Sequence, residues 1–451
     1  MIQYRTYFYD NGRDPLFDAF TLPAETEMTV DLLTSLIGAF NSGYARRYEI
    51  LDTPFRRQFA IFGRNPREDY KPDNRLAANF CRQIATTFEG YFIGNPVEYR
   101  NTDEIADTWL DLYNKRNNQA GVDASISMGC TKYGRAYELL YMNQHGEPAS
   151  AYISPRAGFV VYDDSVVREP LFGVTFALDD HGSLFGAWSD SRQIVQFKNS
   201  GNGIEFEEPT PHVFGGVPLI EYTQDENSAG LYEDVMNLAD AFNAALSEKA
   251  NDVEYFADAY LAVTGVELPE DFKVDLREYR LINVWGEETP NVYFLEKPNA
   301  DVTQENLLSR LETLIYKTSM VPDITDESFY TASGTALTKR LMPMANMAKS
   351  KEQRFKDSIR HRLRLLSNVP GESFTGDDWA TTEILMTRNM PADLANEAQI
   401  AGALAGIVSE ETQLSILSCV EDAAGEMERK RNERESLNNE MYPALGGNDD
   451  R

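Results

Sequence analysis

From Leu231 to Thr264 the chain contains neither Gly nor Pro, and Leu231, Val235, Leu238, Phe242, Ala245, Leu246, Val253, Phe256 and Tyr260 recur at steps close to three and four. That period predicts one amphipathic helix. At about 32 residues it would be roughly 48 Å long, far beyond the usual three to four turns, and it suits a strut better than a packing element. A second helix is expected over Thr303–Ser319, where Leu307, Leu308, Leu311, Leu314 and Ile315 share a face, with a stop at Pro322. Between Gly265 and Pro298 lies a short αβ segment with strand-like runs at Tyr279–Trp285 and Val292–Leu295. The pattern describes a small module held on a two-helix stalk.

Elsewhere the chain alternates between helical and extended regions. After about 28 loosely patterned residues, Thr29–Leu51 reads as an amphipathic helix with Leu32, Leu33, Leu36, Ile37 and Phe40 on one face. Asn74–Phe92 and Ile105–Asn117 read as further helices. From Arg135 the period becomes two, and Tyr137–Met142, Ser150–Ile153, Phe159–Tyr162, Leu171–Phe176, Gln193–Phe197 and Val217–Tyr222 are short antiparallel strand candidates. Val321–Gly334 is a loop carrying the aromatic pair Phe329 and Tyr330. Thr335–Ser367 is a long helix that Pro343 is expected to kink. Trp379–Met386 is strand-like, and two helices close the chain, Leu394–Ile407 and Glu410 to about Arg434, with Ser409 placed to cap the second.

Composition excludes several function classes. The 451 residues carry 72 Asp+Glu against 42 Lys+Arg, a formal charge of −30, which argues against a protein whose business is gripping phosphates. There is no uninterrupted apolar run of about 18 residues and no basic start followed by an apolar stretch, so neither a membrane span nor a secretory signal is expected. Cys81, Cys130 and Cys419 are far apart and odd in number, which fits neither a disulfide framework nor a zinc site. The four His are dispersed, no HExxH or phosphate-binding P-loop occurs, and Ser333-Gly334-Thr335 lacks the spacing of a nucleophile elbow. No catalytic residue, metal site or cofactor is called.

Charge is unevenly placed. Glu233, Asp234, Asp240, Glu248, Asp252, Glu254 and Asp258 make the polar face of the first stalk helix acidic, with Lys249 its one base. The long helix is basic, with Lys339, Arg340, Lys349, Lys351 and Arg354 in its first two-thirds. Such a helix either packs beside acidic neighbours, within the chain or between copies, or contacts nucleic acid; composition does not separate the two. Phe329-Tyr330 is likewise either a buried loop anchor or an exposed tip.

The order of short motifs is recognisable. Asn79-Phe80-Cys81-Arg82-Gln83-Ile84 leads to Gly90-Tyr91-Phe92-Ile93-Gly94-Asn95-Pro96-Val97. Gly216-Val217-Pro218-Leu219-Ile220-Glu221-Tyr222 is followed by Leu238-Ala239-Asp240-Ala241-Phe242 and by Ser247 through Asn251-Asp252. Val321-Pro322-Asp323, Ser333-Gly334-Thr335-Ala336-Leu337, Arg388-Asn389-Met390-Pro391 and Ile407-Val408-Ser409-Glu410-Glu411-Thr412 complete the series. In this order, from about residue 29 to residue 434, the chain resembles the portal proteins of tailed bacteriophages, specifically the siphophage-type portals of phages of Gram-positive hosts.

The resemblance implies an α+β portal-type subunit. Residues 1–228 correspond to N-terminal helices and a β-rich wing, 229–264 and 301–320 to the two stem helices, and 265–300 to the clip. Residues 321–334 correspond to the tunnel loop, 335–390 to the long wing helix and a returning strand, and 391–451 to a helical crown. It further implies a ring of about twelve subunits at one capsid vertex of the virion, made in the host cytoplasm and not membrane-bound. The ring would pass double-stranded DNA without sequence specificity and carry no ATPase. Its implied partners are the terminase large subunit, a head-tail adaptor, scaffold and the major capsid protein. In that frame the acids of the first stem helix line the bore and keep it slippery to DNA. Asp323, Thr325, Asp326, Glu327, Ser328, Phe329, Tyr330, Thr331 and Gly334 form the tunnel loop, the narrowest collar. The rival readings are a virion scaffold or adaptor without a channel, and an acidic hydrolase using paired carboxylates.

Overall fold

The computed structural model describes residues 20–68, 71–200, 203–257, 261–265, 281–284, 291–294, 301–325, 329, 334–389, 394–417, 419–420 and 423–441. The first amphipathic segment forms as its spacing requires. Thr29 caps α1 (Val30–Phe40) by accepting the Leu32 amide at 3.2 Å. A π turn at Asn41–Ala45 then leads into α2 (Arg46–Asp52). Phe40, Tyr44 and Tyr48 stack along this helix at four-residue intervals, and Phe40 packs against Phe159, whose centroid is 5.5 Å away.

The β-rich region is antiparallel as expected. The strands β5 (Gly158–Asp163), β6 (Pro170–Leu178), β7 (Leu184–Ser189) and β8 (Gln193–Asn199) form a meander, extended by β9 (Ile204–Phe206) and β10 (Thr210–Pro211). Its other edge is β1 (Phe20–Leu22), parallel to β5 and drawn from the N-terminal stretch that has no clear period. A second sheet orders β11 (Leu219–Thr223), β3 (Arg135–Met142) and β4 (Pro148–Ile153), and β2 (Glu98–Arg100) pairs with β15 (Glu383–Leu385).

Against these sheets pack α3 (Phe80–Ile93), α4 (Glu104–Asn117), α5 (Gln119–Tyr133) and, much later in the chain, the long helix α8 (Gly334–Leu366). Gly134 ends α5 at φ +85°, where a Cβ would lie 1.7 Å from the Ser228 carbonyl oxygen, so this close approach admits only glycine.

The stalk consists of α6 (Met236–Ala257) and α7 (Asp301–Ser319), with β12 (Leu261–Thr264), β13 (Leu281–Val284) and β14 (Asn291–Phe294) between them. The strand β12 is central, parallel to β13 and antiparallel to β14. A four-residue helix, α9 (Asp378–Thr381), precedes β15. The chain divides into two units, Met1–Arg388 and Asn389–Arg451. The second contains α10 (Leu394–Ala403), α11 (Glu410–Leu414) and α12 (Ala423–Met441), with Lys430 paired to Glu410 at 2.5 Å.

Several sequence expectations change. The helix predicted from Asn74 begins only at Phe80, because residues 74–78 are extended along α6 and Asn79 is the N-cap, accepting the Arg82 amide. The 32-residue helix is 22 residues long, about 33 Å. It is preceded by a 3-10 turn at Glu233–Val235, and Leu261–Thr264, whose apolar spacing seemed to continue it, is held on both sides as a strand. Trp379–Met386 is a helical turn followed by a three-residue strand. The last predicted helix is two, α11 ending at Leu414 and α12 beginning at Ala423. Pro343 does not interrupt α8, which runs unbroken for 33 residues.

Candidate functional site

The chain is locked to α2 just before α6 begins. Arg47, on α2, is 1% exposed and forks onto Glu233 at 2.6 and 2.9 Å, while also donating to the Tyr133 and Ser228 carbonyls. Glu233 in turn accepts the Gly230 amide at 2.9 Å. Glu233, a candidate for lining the bore, is thus engaged within the chain, with its side chain 10% exposed. Nearby, Tyr232 donates to the Leu51 carbonyl at 2.5 Å.

Along α6 one face is a polar ladder. Asn243, Ser247 and Asn251 are buried and four residues apart; they accept the amides of Ala78 at 2.7 Å, Leu76 at 3.0 Å and Asn74 at 2.6 Å. Four helical residues rise about 6 Å, and two extended residues span about 6.6 Å, so the two periods match and each amide meets one side chain. The expected acids sit beside this ladder and are engaged within the chain. Glu248 pairs with Arg67 and, at 3.6 Å, with Arg64; Glu254 accepts from Asn74 at 2.5 Å. On the side facing α7, Lys249 pairs with Glu305, and Asp252 accepts from Gln304 at 2.7 Å. Asp234 is exposed, and Asp258 lies outside the described residues.

Asp240 is different. Burial between α6 and the Thr53–Cys81 segment pushes its carboxyl up to about 6, with Arg64 pulling the other way. Unfolded, it ionises near its ordinary value of 3.8. Between those values the folded chain holds a proton that the unfolded chain releases, so this group's effect is to lower stability as pH rises through the window. Asp240→Asn is expected to raise stability at pH 7 by about 1 kcal/mol, allowing for partial solvation, and to flatten the dependence between about pH 4 and 6. Urea denaturation at several pH values measures both; an unchanged slope refutes the assignment.

The helices α6 and α7 are not equivalent. Antiparallel to α6, α7 buries only a narrow stripe, Leu308, Ile315 and Ser319, and leaves Leu307, Arg310, Glu312, Thr313 and Lys317 exposed. After it, Val321 is buried and Asp323 closes a turn by accepting from the Thr325 amide at 2.9 Å and hydroxyl at 2.7 Å. Phe329 packs against the core, the anchor arrangement rather than the exposed tip. Gly334 starts α8. Asp326, Glu327, Ser328, Tyr330 and Thr331 lie outside the described residues.

On α8 the basic residues divide. Lys339, Arg340 and Lys349 are exposed, and Arg354 is 40% exposed with Glu226 3.9 Å away. Lys351 is fully buried, bonded to Glu89 at 2.7 Å, to Thr131 Oγ1 at 2.9 Å and to the Ser127 carbonyl at 3.1 Å, so at this position the helix packs beside an acidic neighbour within the chain. Three turns on, buried Arg362 meets Asp123 at 2.7 Å and Glu138 at 3.0 Å, and also Tyr99. Both cations face a polar stripe of α5, Gln119, Asp123, Ser127 and Thr131, again at four-residue steps and all buried. Of the stripe and the α6 ladder, the motif series contains only Ser247 and Asn251; polar residues at i, i+4 and i+8 are the signal for both.

Among the described residues no helix is long and apolar enough to cross a membrane, and no three His, Cys, Asp or Glu are grouped to hold a metal ion. The family model for phage portal proteins, SPP1 Gp6-like, matches residues 41–440. No curated protein matches the chain.

Proposed function

Because the chain belongs to the SPP1 Gp6-like phage portal proteins, we propose that copies of it close into a ring at one capsid vertex and form the channel for packaging and ejecting double-stranded DNA. The observation that carries this reading is the family match, which spans residues 41–440. In it, α6 and α7 are the stem, the β12–β14 module is the clip that docks the terminase motor and later the head-tail connector, and residues 321–334 are the tunnel loop. The helix α8 ties that loop to the wing, and the crown begins near residue 391. The role is conduction, with no reaction of its own.

The physics suits passage rather than capture. Duplex DNA carries one charge per about 1.7 Å, and at physiological salt a wall within about 8 Å still acts on it. The single base of α6, Lys249, is paired with Glu305, and acids outnumber it along the helix, so α6 offers DNA little positive charge. The exposed side of α7 mixes Arg310 and Lys317 with Glu312, which gives DNA no continuous basic track to bind. The native mass tests the proposal. Twelve copies of a 51.0 kDa chain make a particle of roughly 600 kDa with a central hole in negative stain. A monomer at all concentrations refutes it.

A further inference from the structure

We propose that a groove beside α4 docks a cationic side chain, an Arg or Lys, carried on an apolar segment of a different, basic protein. The inference does not depend on the ring reading. Ile105 and Leu112 are seven residues apart, and so on one face of α4, and they are 62% and 46% exposed. Leu112 also lines a groove of about 250 Å³, together with Trp109, Arg116, Glu147, Pro148 and Glu372 among others. Met142, opposite Pro148 in the β3–β4 ladder, is 36% exposed. Large apolar side chains left in water at a groove mark a contact surface.

The charge in the groove selects the occupant. Trp109 stacks with Tyr113 and Phe374, at ring centroid distances of 5.3 and 5.0 Å, and its indole Nε1 donates to Glu372 at 2.6 Å. The stacked ring holds Glu372 in place, yet among the described residues that indole is the only side-chain partner of Glu372. Glu147 is paired with Arg116 at 3.1 Å. The lining thus sets two carboxylates against one guanidinium, which is already paired, and the charge of Glu372 is left over. Glu104, next to Ile105 on α4, has no ion-pair partner among the described residues either. A carboxylate fixed by a neutral donor keeps an oxygen for a charge-assisted hydrogen bond, and only a cation balances it. The same charge repels phosphates, which excludes DNA. At about 250 Å³ the groove is smaller than the roughly 300–1,000 Å³ of a drug-sized ligand site, so it takes one side chain of a protein segment. A second copy, at a formal charge of −30, is repelled by this face, whereas a basic partner is steered to it.

Fluorescence anisotropy of a labelled peptide of alternating Leu and Arg, titrated with the full chain, tests this, with a Leu/Glu peptide and a short DNA duplex as controls. The parent chain is expected to bind the Leu/Arg peptide and neither control. Glu372→Gln, which keeps an acceptor for Trp109, and Leu112→Ser, which alters an exposed side chain, should each weaken binding by about tenfold or more. Both should keep the far-UV circular dichroism and thermal midpoint of the parent. Glu208→Gln, the same charge change at an exposed site outside the groove, should leave binding as it is. Equal weakening by Glu372→Gln and Glu208→Gln means that bulk charge alone attracts the peptide and overturns the inference, as does a parent chain that does not bind it. A groove variant that changes native mass with peptide binding unaltered assigns the face to a second copy, and one that loses binding of the duplex assigns it to DNA; either result overturns the inference.

Discussion

Replacing Arg362 with Leu is expected to destabilise the Met1–Arg388 unit by about 3–5 kcal/mol, the usual cost of removing one partner from a buried ionic cluster. The guanidinium is 1% exposed and stands between two buried carboxylates, Asp123 and Glu138. Those carboxylates are tied further into the fold, Glu138 by the Tyr222 hydroxyl at 2.5 Å and both by Gln119 Nε2 at 2.9 and 3.0 Å. Without Arg362, two adjacent negative charges remain in a site with no water to screen them, and Tyr99 loses a donor. Guanidinium denaturation followed by tryptophan emission measures the midpoint shift. Neutralising both acids as well, Asp123→Asn and Glu138→Gln in the Arg362→Leu background, should recover part of the loss. If the single variant unfolds where the parent does, the cluster does not hold α8 to the body.

Deleting residues 325–331 should abolish DNA packaging while rings of normal mass still form. The residues flanking the deletion belong to elements that it leaves in place: Val321 is buried, and Gly334 opens α8. On the proposed reading, the deletion removes what the loop would present to the bore. The deletion also removes Phe329, which packs on the core, so Asp326→Ala/Glu327→Ala is a gentler companion that keeps the anchor. DNA retained per head, scored by nuclease protection, should fall to background for the deletion and at least several-fold for the double substitution. Full heads from both variants eliminate the loop from translocation, and loss of rings makes it an assembly element.

Where structure follows local rules, the sequence is a good guide. Leu33, Leu36, Ile37 and Phe40 are buried on one side of α1 as their spacing requires, Ser409 accepts the Thr412 amide at 3.3 Å, and the meander strands lie where the period becomes two. The same rule fails at α5, whose buried side is the polar stripe Gln119, Asp123, Ser127 and Thr131, so it shows no apolar period and went unread. It fails again at Asn74–Ala78, where a helical pattern gives way to an extended strip because α6 supplies acceptors for its amides. Among the site residues, charge sign was readable but charge placement was not. Lys349 and Lys351 are two residues apart on one helix, one in solvent and the other sealed against Glu89.

The amino-acid order alone determined the helices and strands with clean periods, the capping residues, the acidic balance and the motif series that marks the family. Caps and periods are legible because they depend on neighbours within a few residues. Tertiary structure alone decided which charges are structural and which face outward. The partners of Arg47, Lys351 and Arg362 lie 186, 262 and 239 residues away, at Glu233, Glu89 and Asp123. A buried ion is tolerated only where such a partner meets it, and no local pattern specifies that meeting.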